Sequence, residues 1–376
     1  MTNTVEENID NTLNQKTKVP VIDCDLHANP HSQNDLLPYM SDYWKNFMID
    51  CGWRGVFQGA PAMAILQRNC LDSDTPEGGT GASSLRYFRE QIADKYNYAY
   101  AVINPDATWF ISASPQLEMA AAVASAYNDW QIEHWLSKDP SMLGSVVVAA
   151  QNPEEAAREI DRVGSHPQIV QVALPSFSPY GAWGNPRYYP IWEAAIRNGL
   201  IITYHVSTRG GLYRDGFEVN NFAESQTGNG IPLQVAMSSL VFSGVLEKYK
   251  ELRFLFNEGG FGWVPNTMYT MDTHWPMLRR EVPWVKRPPS EQVREHFWFG
   301  TQPLIEPNRP EDTKHVVDLA EMIGRDKIVY TSDYPHFTYN PPEITFKHFP
   351  KEFRENILYK NAAKLYGLPV SMEVNK

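Results

Sequence analysis

Short runs of apolar residues alternate with longer segments of helical periodicity along most of this chain. Several of the short runs are almost continuously apolar, as expected for strands buried on both faces of a parallel sheet. In the longer segments apolar residues recur every three or four positions, which predicts helices that pack along one face. The predicted strands are Val19–Asp25, Tyr98–Ile103, Gly144–Ala149, Ile169–Leu174, Leu200–His205, Arg253–Asn257, Phe297–Thr301 and Ile328–Ser332.

The predicted helices fill the intervals between these strands. They are Gln116–Leu136, Pro153–Arg162, Tyr189–Arg197, Leu233–Tyr249 and Pro310–Ile323. Strands and helices in strict alternation predict an α/β fold, here a (β/α)8 TIM barrel. A doubly wound open sheet is the alternative. No internal repeat or second domain is evident, so residues 19–376 are predicted to form a single barrel domain.

One interval is much longer than a usual strand-to-helix connection. Residues 28–97 separate the first two predicted strands and contain Trp44 and Trp53, followed by a Gly/Ser/Thr-rich segment from Asp74 to Ser84. Long insertions of this kind often lie over a binding site. We expect a helical insertion with a mobile loop that caps the mouth of the barrel. A peripheral decoration without function is nearly as good an interpretation.

Composition and charge narrow the classes of partner. The 376 residues are 43% hydrophobic and 12% aromatic, which is enough for a large core. The net charge of −11 repels phosphate backbones, so nucleic acid is not expected as a partner. No apolar run approaches the ~20 residues that span a membrane. A small-molecule substrate is the expected partner, and a homodimer is the expected assembly.

The terminal segment and the cysteines indicate a cytoplasmic protein. Residues 1–18 are polar and lack the basic start and apolar centre of a secretory signal, so we expect a flexible N-terminal arm. Cys24, Cys51 and Cys70 are too few and too scattered for a disulfide framework or a structural zinc site.

Candidate metal ligands stand where three of the predicted strands end. Asp25 and His27 are two residues apart, so on an extended strand they point to the same face. The fifth strand ends in His205 and the eighth is followed by Asp333. A lone histidine at a strand end is more often an ordinary hydrogen-bonded residue. Four oxygen or nitrogen donors on one barrel rim, however, predict a divalent metal site.

Other catalytic motifs are missing from the sequence. There is no G-x-S-x-G elbow of a serine hydrolase, and the glycines at 210–211 and 259–262 lack the spacing of phosphate or dinucleotide loops. Cys24 alternates away from Asp25, so it is not expected to act as a nucleophile.

Several segments, in this order and spacing, resemble the amidohydrolase superfamily, in particular the amidohydrolase-related branch that includes aminocarboxymuconate-semialdehyde decarboxylase. They are Ile22-Asp23-Cys24-Asp25-Leu26-His27, Asn185-Pro186, Tyr189-Pro190-Ile191-Trp192-Glu193-Ala194-Ala195, Gly244-Val245-Leu246-Glu247, Asn257-Glu258-Gly259-Gly260-Phe261-Gly262-Trp263-Val264-Pro265, Ser332-Asp333-Tyr334-Pro335-His336 and Asn361-Ala362-Ala363-Lys364-Leu365-Tyr366-Gly367-Leu368. The resemblance covers nearly the whole chain.

The resemblance implies that one metal ion is bound by Asp25, His27, His205 and Asp333. Two positions depart from the common pattern. Asp25 stands where many members have histidine, and Glu258 lies where many have a histidine after the sixth strand. Glu258 is expected either to act as a ligand or proton-transfer group or to hydrogen-bond its loop, at even odds. The fourth strand ends without a lysine, which disfavours a two-metal centre. Mixed nitrogen and oxygen ligands favour zinc first, with manganese or iron as alternatives.

The remaining site residues are assigned by their chemistry. Asp333 is expected to move the proton of a metal-activated water, and His205 or the metal to polarise a substrate carbonyl. Arg209 is a candidate partner for a substrate carboxylate, although loop arginines are more often solvated. His336 and Trp263 are candidate substrate contacts. The competing interpretation of His336 is a histidine on the barrel rim without a functional role, and that of Trp263 is a residue that serves packing.

These assignments predict a metal-dependent hydrolase that uses an activated water on an amide, ester or related acyl bond. The alternative is a non-oxidative decarboxylase (carboxy-lyase) of an aromatic or unsaturated acid. A metal-free binding protein derived from an enzyme is the third hypothesis, and the intact donor set argues against it.

Overall fold

A computed structural model describes residues 19–53, 55, 70, 73–79, 81–106, 111–112, 114–206, 213–214, 217–218 and 222–370. Its centre is a sheet of eight parallel strands in sequential order. The strands are β1 (Val21–Leu26), β2 (Tyr98–Ile103), β3 (Met142–Val147), β4 (Ile169–Pro175), β5 (Ile201–His205), β6 (Phe254–Asn257), β7 (Phe297–Gly300) and β8 (Ile328–Val329). All eight predicted strands are therefore confirmed, with ends that differ by a few residues.

The sheet closes on itself between its first and last strands. The backbone N–H of Cys24 donates to the Tyr330 carbonyl at 3.0 Å, and that of His27 donates to the Tyr334 carbonyl at 2.9 Å. Leu26 and Tyr334 also form a parallel bridge. The predicted TIM barrel is thus confirmed, and the open doubly wound sheet is excluded.

Helices follow the strands around the barrel. The α-helices are α1 (Asp42–Asp50), α2 (Leu85–Phe88), α3 (Leu117–His134), α4 (Pro153–Val163), α5 (Tyr189–Arg197), α6 (Phe222–Thr227), α7 (Gly230–Phe242), α8 (Val245–Lys248), α9 (Val264–Met277), α10 (Pro289–His296), α11 (Thr313–Ile323), α12 (Lys351–Glu355) and α13 (Asn361–Tyr366). The predicted helix Leu233–Tyr249 is divided into α7 and α8 because Gly244 has a φ of +79°, which ends the first helix.

The barrel wall and its helices share one apolar core. Large aromatic side chains are fully buried on neighbouring strands, among them Tyr204, Phe254, Phe256, Phe297 and Phe299. The barrel interior, in contrast, holds a layer of buried polar side chains from three strands and the β2 end, Thr203, Ser145, Gln171 and Asn104. Buried polar groups of this kind must be hydrogen-bonded, and they provide fixed points beneath the carboxyl ends of the strands.

Part of the insertion between β1 and β2 lies against that carboxyl end. The backbone N–H of Cys70 donates to the Pro335 carbonyl at 2.8 Å, and that of Asn29 donates to the Ala82 carbonyl at 3.0 Å. Ser73 and Thr75 are buried. Residues 54, 56–69, 71–72 and 80 lie outside the described residues, as does the N-terminal arm, so the role of the insertion as a cap stays a prediction. Within the described chain, no helix is long and apolar enough to cross a membrane.

Candidate active site

Three predicted ligands meet at the carboxyl ends of β1 and β5. Asp25, His27 and His205 are buried, and one donor atom of each lies within 4.8 Å of the others. Asp25 Oδ1 is 3.7 Å from His27 Nε2, and Asp25 Oδ2 is 3.5 Å from His205 Nε2. The alternation of β1 and the end of β5 therefore bring these side chains to one point, as the sequence predicted.

Asp333 approaches the same point from the segment after β8. Its Oδ1 lies 3.1 Å from His27 Nε2, while Oδ2 accepts hydrogen bonds from Gln302 Nε2 at 3.1 Å and from the Thr338 hydroxyl. Asp333 has a φ of +62°, in the left-handed region, which costs a non-glycine residue about 1 kcal/mol or more. The backbone is held there by hydrogen bonds, one of them from Asp333 N–H to the Asp25 carbonyl at 3.2 Å.

A buried carboxylate links β1 to this turn. Asp23 accepts hydrogen bonds from the Ser332 N–H at 2.9 Å and the Ser332 hydroxyl at 2.6 Å, and also from the Asp25 N–H at 3.1 Å. Burial nevertheless dominates and raises the pKa of Asp23 to about 7. The contacts fix the relative positions of the β1 and β8 ends, which carry Asp25 and Asp333.

Glu258 follows β6, and its carboxylate lies against His205. Its Oε2 lies 3.1 Å from His205 Nε2, and its side chain is 12% exposed. Glu258 also has a left-handed backbone, with a φ of +54°. Strained backbones of this kind cluster at functional sites, where surrounding contacts compensate the strain. The geometry brings Glu258 to the site, whereas the choice between ligand, proton-transfer group and loop anchor stays a prediction.

His336 and Asp106 extend the cluster. His336 Nδ1 is 2.6 Å from Asp333 Oδ1, and its ring stacks on that of His27 with 4.3 Å between centroids. Asp106 was missed by the sequence analysis. Its Oδ1 lies 3.0 Å from His27 Nδ1 and its Oδ2 3.5 Å from His336 Nε2. The signal was the polar Asn104-Pro105-Asp106 that follows β2 at the same rim.

Asn104, which the sequence analysis also missed, forms hydrogen bonds with Asp25 and His27. Its Nδ2 donates to Asp25 Oδ1 at 2.8 Å and to the Cys24 carbonyl at 3.1 Å, and its own carbonyl lies 2.9 Å from His27 Nδ1. Asn104 Oδ1 accepts from the Ser145 hydroxyl and Gln171 Nε2, each at 2.9 Å. Asn104 thus connects the polar interior of the barrel to two candidate ligands.

The electrostatics follow from packing imidazoles among carboxylates away from water. Burial alone would lower the pKa of His27, but Asp25, Asp106 and Asp333 outweigh it and raise that pKa well above its usual value. The pKa of His205 is raised in the same way by Asp25 and Glu258. Burial opposes ionisation of Asp333, yet His336 and His27 hold its pKa well below the usual range. The pKa of His336 is raised to about 9 against the effect of burial, mainly by Asp333.

The donor set fits a divalent metal ion. Ligand atoms about 2.1 Å from one ion are separated by about 3.0–3.5 Å, close to the 3.5 Å and 3.7 Å measured from Asp25 to the two histidines. Asp25 Oδ2 is buried and accepts no hydrogen bond from the residues that the structure describes. A buried carboxylate oxygen without a donor is costly, and a bound cation would compensate it. Asp25, His27 and His205 therefore could hold a metal, with Asp333 beside them.

Two predicted substrate contacts, Trp263 and Arg209, are not shown at the site by the structure. Trp263 is the N-cap residue of α9, donates its indole N–H to the Gly259 carbonyl at 3.0 Å and packs edge-on against Phe299. These contacts anchor the loop after Glu258, and the role of Trp263 in substrate binding stays a prediction. Arg209 lies outside the described residues.

Comparisons with known proteins agree with this architecture. A gamma-resorcylate decarboxylase of Polaromonas sp. strain JS666 is 23% identical over 310 residues, which cover 79% of this chain and 92% of the relative. A 5-carboxyvanillate decarboxylase of Novosphingobium aromaticivorans, solved with manganese and 4-hydroxy-3-methoxy-5-nitrobenzoic acid, has a TM-score of 0.67 at 17% identity and covers 94% and 98% of the two chains. A dihydroxybenzoic acid decarboxylase of Polaromonas sp. JS666, solved with manganese and 2-nitroresorcinol, has a TM-score of 0.62 at 19% identity and covers 93% and 97%.

These similarities at low identity show the fold, and a family-wide sequence pattern shows the membership. The amidohydrolase family profile matches residues 22–368, a span that contains every predicted site residue from Asp25 to His336. The match confirms the resemblance seen in the sequence motifs. This chain therefore belongs to the amidohydrolase family, which is a family of enzymes.

Proposed function

We propose that this protein is a metal-dependent, non-oxidative decarboxylase of an aromatic acid. The observation that carries the proposal is the buried cluster of Asp25, His27 and His205 beside Asp333, in a chain whose relatives are decarboxylases of aromatic acids. Those relatives favour the decarboxylase alternative over the hydrolase that the sequence analysis placed first.

The reaction needs a proton and no oxidant or reductant. The bond between the ring carbon and the carboxyl carbon breaks, carbon dioxide leaves, and the ring carbon keeps the electron pair and takes a proton. A divalent ion would supply positive charge that stabilises the electron pair left by the departing carbon dioxide. Asp25, His27, His205 and Asp333 are the residues that would hold it. Manganese is the first ion to test, because carboxylate-rich donor sets suit it and two of the structural relatives were solved with it.

Asp333 and His336 are the proposed proton-delivery pair. The 2.6 Å contact between Asp333 Oδ1 and His336 Nδ1 holds a proton between two largely buried side chains. Asp333 Oδ1 is also 3.1 Å from His27 Nε2, so this proton lies next to the candidate metal ligands. Because the pKa of Asp333 is lowered and that of His336 is raised, the proton rests on His336, and it would reach a substrate ring carbon by way of the Asp333 carboxylate.

A substrate panel tests the reaction class. Protein loaded with Mn²⁺ is incubated with hydroxylated benzoic acids, and carbon dioxide and the decarboxylated phenol are measured together. Amide and ester substrates are assayed in parallel. We expect carbon dioxide and phenol in equal amounts from at least one acid. Hydrolysis of an acyl substrate, with no carbon dioxide from any acid, would overturn the proposal in favour of the hydrolase.

The Asp333→Asn variant tests the proton-delivery role. We expect kcat to fall by about 10²- to 10⁴-fold, because the amide cannot transfer the proton. Asp161→Asn is the matched control, since Asp161 lies on α4 and pairs with Arg197 on the outer helices. Wild-type turnover in a folded Asp333→Asn protein would refute the role.

A further inference from the structure

Asp106 contacts the imidazole rings of both His27, a candidate metal ligand, and His336. Oδ1 is 3.0 Å from His27 Nδ1, and Oδ2 is 3.5 Å from His336 Nε2. Its side chain is 13% exposed, so most of its hydration has been replaced by these contacts. A carboxylate in such a place costs desolvation energy unless charged or N–H groups face it, and here both of its oxygens face imidazole nitrogens.

The two imidazoles form a layer between two carboxylates. The His27 and His336 rings are stacked, with centroids 4.3 Å apart and planes 29° apart. Asp106 lies at one edge of this pair, and Asp333 at the other, 3.1 Å from His27 Nε2 and 2.6 Å from His336 Nδ1. Each ring therefore has one nitrogen directed to Asp106 and the other to Asp333. Neither ring can rotate or flip without breaking contacts at both edges.

Ring orientation decides which nitrogen of His27 is available to a metal. A neutral imidazole carries one N–H, and only the other nitrogen has a lone pair for a metal ion. At Nδ1 of His27 there are two acceptors, the Asn104 carbonyl at 2.9 Å and Asp106 Oδ1 at 3.0 Å. Both stabilise the tautomer with its proton on Nδ1, which leaves Nε2 for the side of Asp25 and His205. A carboxylate in this place also makes the coordinating nitrogen more basic.

We propose that Asp106 is a positioning residue that fixes the tautomer and ring plane of His27 for metal binding and holds His336 against Asp333. The inference deepens the proposed function and rests on its metal dependence. It assigns to the β2 end a role that resembles the carboxylate–histidine–metal arrangements found at other metal centres. In this role Asp106 acts through His27 and His336, the two residues that it contacts.

Metal affinity of the free protein is the direct readout. Metal-free wild type, Asp106→Ala, Asp106→Asn and the control Asp161→Asn are titrated with Mn²⁺, and free Mn²⁺ is measured by electron paramagnetic resonance. We expect Asp106→Ala to bind Mn²⁺ about 10- to 100-fold more weakly than wild type. Asp106→Asn keeps one carbonyl oxygen as acceptor but loses the charge, so an intermediate affinity is expected. Asp161→Asn should match wild type.

A second measurement separates positioning from a general loss of structure. The thermal midpoint of each metal-free protein is recorded, and then the increase that Mn²⁺ produces. We expect similar metal-free midpoints for Asp106→Asn and wild type, with a smaller Mn²⁺-induced increase in the variant. Wild-type Mn²⁺ affinity in both Asp106 variants would overturn the proposal. Because no substrate is present, this result is independent of whether the protein releases carbon dioxide or hydrolyses an acyl bond.

Discussion

Replacing Asn104 with alanine tests whether the polar interior of the barrel supports the candidate site. The Asn104 side chain is fully buried and makes four hydrogen bonds. Two of them are donated to the Cys24 carbonyl and Asp25 Oδ1, and two are accepted from Ser145 and Gln171. The substitution removes all four hydrogen bonds but keeps the backbone carbonyl of residue 104, which faces His27.

The loss of stability depends on which of these four groups keep another hydrogen-bond partner. The Cys24 carbonyl and Asp25 Oδ1 also accept from Asn257 Nδ2, at 3.2 Å and 3.4 Å, so their loss is partly compensated. The Ser145 hydroxyl still has the Ile103 carbonyl as an acceptor, and Gln171 Nε2 still donates to the Ser145 hydroxyl at 2.8 Å. One N–H of Gln171 is therefore left without an acceptor in a buried setting. An unsatisfied buried donor costs about 1–3 kcal/mol, and the space left by the side chain adds about 1 kcal/mol. We therefore expect Asn104→Ala to lower the free energy of unfolding by about 2–4 kcal/mol.

Urea-induced unfolding, followed by tryptophan fluorescence and circular dichroism, measures this change. Asn198→Ala is the matched control. The Asn198 side chain also donates two hydrogen bonds, to Asp161 at 2.8 Å and to the Ala194 carbonyl at 2.9 Å, but it is partly exposed on the outer helices. Water replaces those partners, so a loss of about 1 kcal/mol or less is expected there. A loss below about 1 kcal/mol for Asn104→Ala as well would show that the interior network adds nothing to the stability of the site.

Three further changes address the site and the helical layer. Chelation of metal should abolish release of carbon dioxide, and added Mn²⁺ should restore it; full activity in protein shown by metal analysis to be metal-free would contradict the metal site. Glu258→Gln, which removes the charge 3.1 Å from His205, should lower kcat/KM by at least about tenfold with an unchanged thermal midpoint, and unchanged kinetics would leave Glu258 as a loop anchor. Gly244→Ala should cost about 1–3 kcal/mol in urea unfolding, because the φ of Gly244 is +79° and the added Cβ would meet the Trp284 ring; a neutral effect would contradict both the backbone strain and the cost of that contact.

The strands and the three central donors were predictable because each is encoded locally. A buried parallel strand is a short apolar run, and a polar residue at its end, such as His205, stands at the rim of any such barrel. Asp25 and His27 share a face by simple alternation. These rules need no knowledge of how distant segments pack.

The supporting residues were not predictable in the same way. The role of Asn104 depends on hydrogen bonds to Ser145 and Gln171, and that of Asp106 on the stacking of two histidines more than three hundred positions apart in the chain. The left-handed backbones of Glu258 and Asp333 likewise arise from tertiary contacts, against the local preference of those residue types.

The joining of the first strand to the last has a consequence for biosynthesis. Asp23 and Ser332, which are hydrogen-bonded across the closure, are 309 positions apart. A nascent chain that has emerged only as far as β7 can present Asp25, His27 and His205, but neither Asp333 nor the strand that completes the ring. The donor set is therefore assembled only after nearly the whole polypeptide has left the ribosome. Products that end before β8 would lack both Asp333 and the closing strand, so we expect them to be without the proposed metal site.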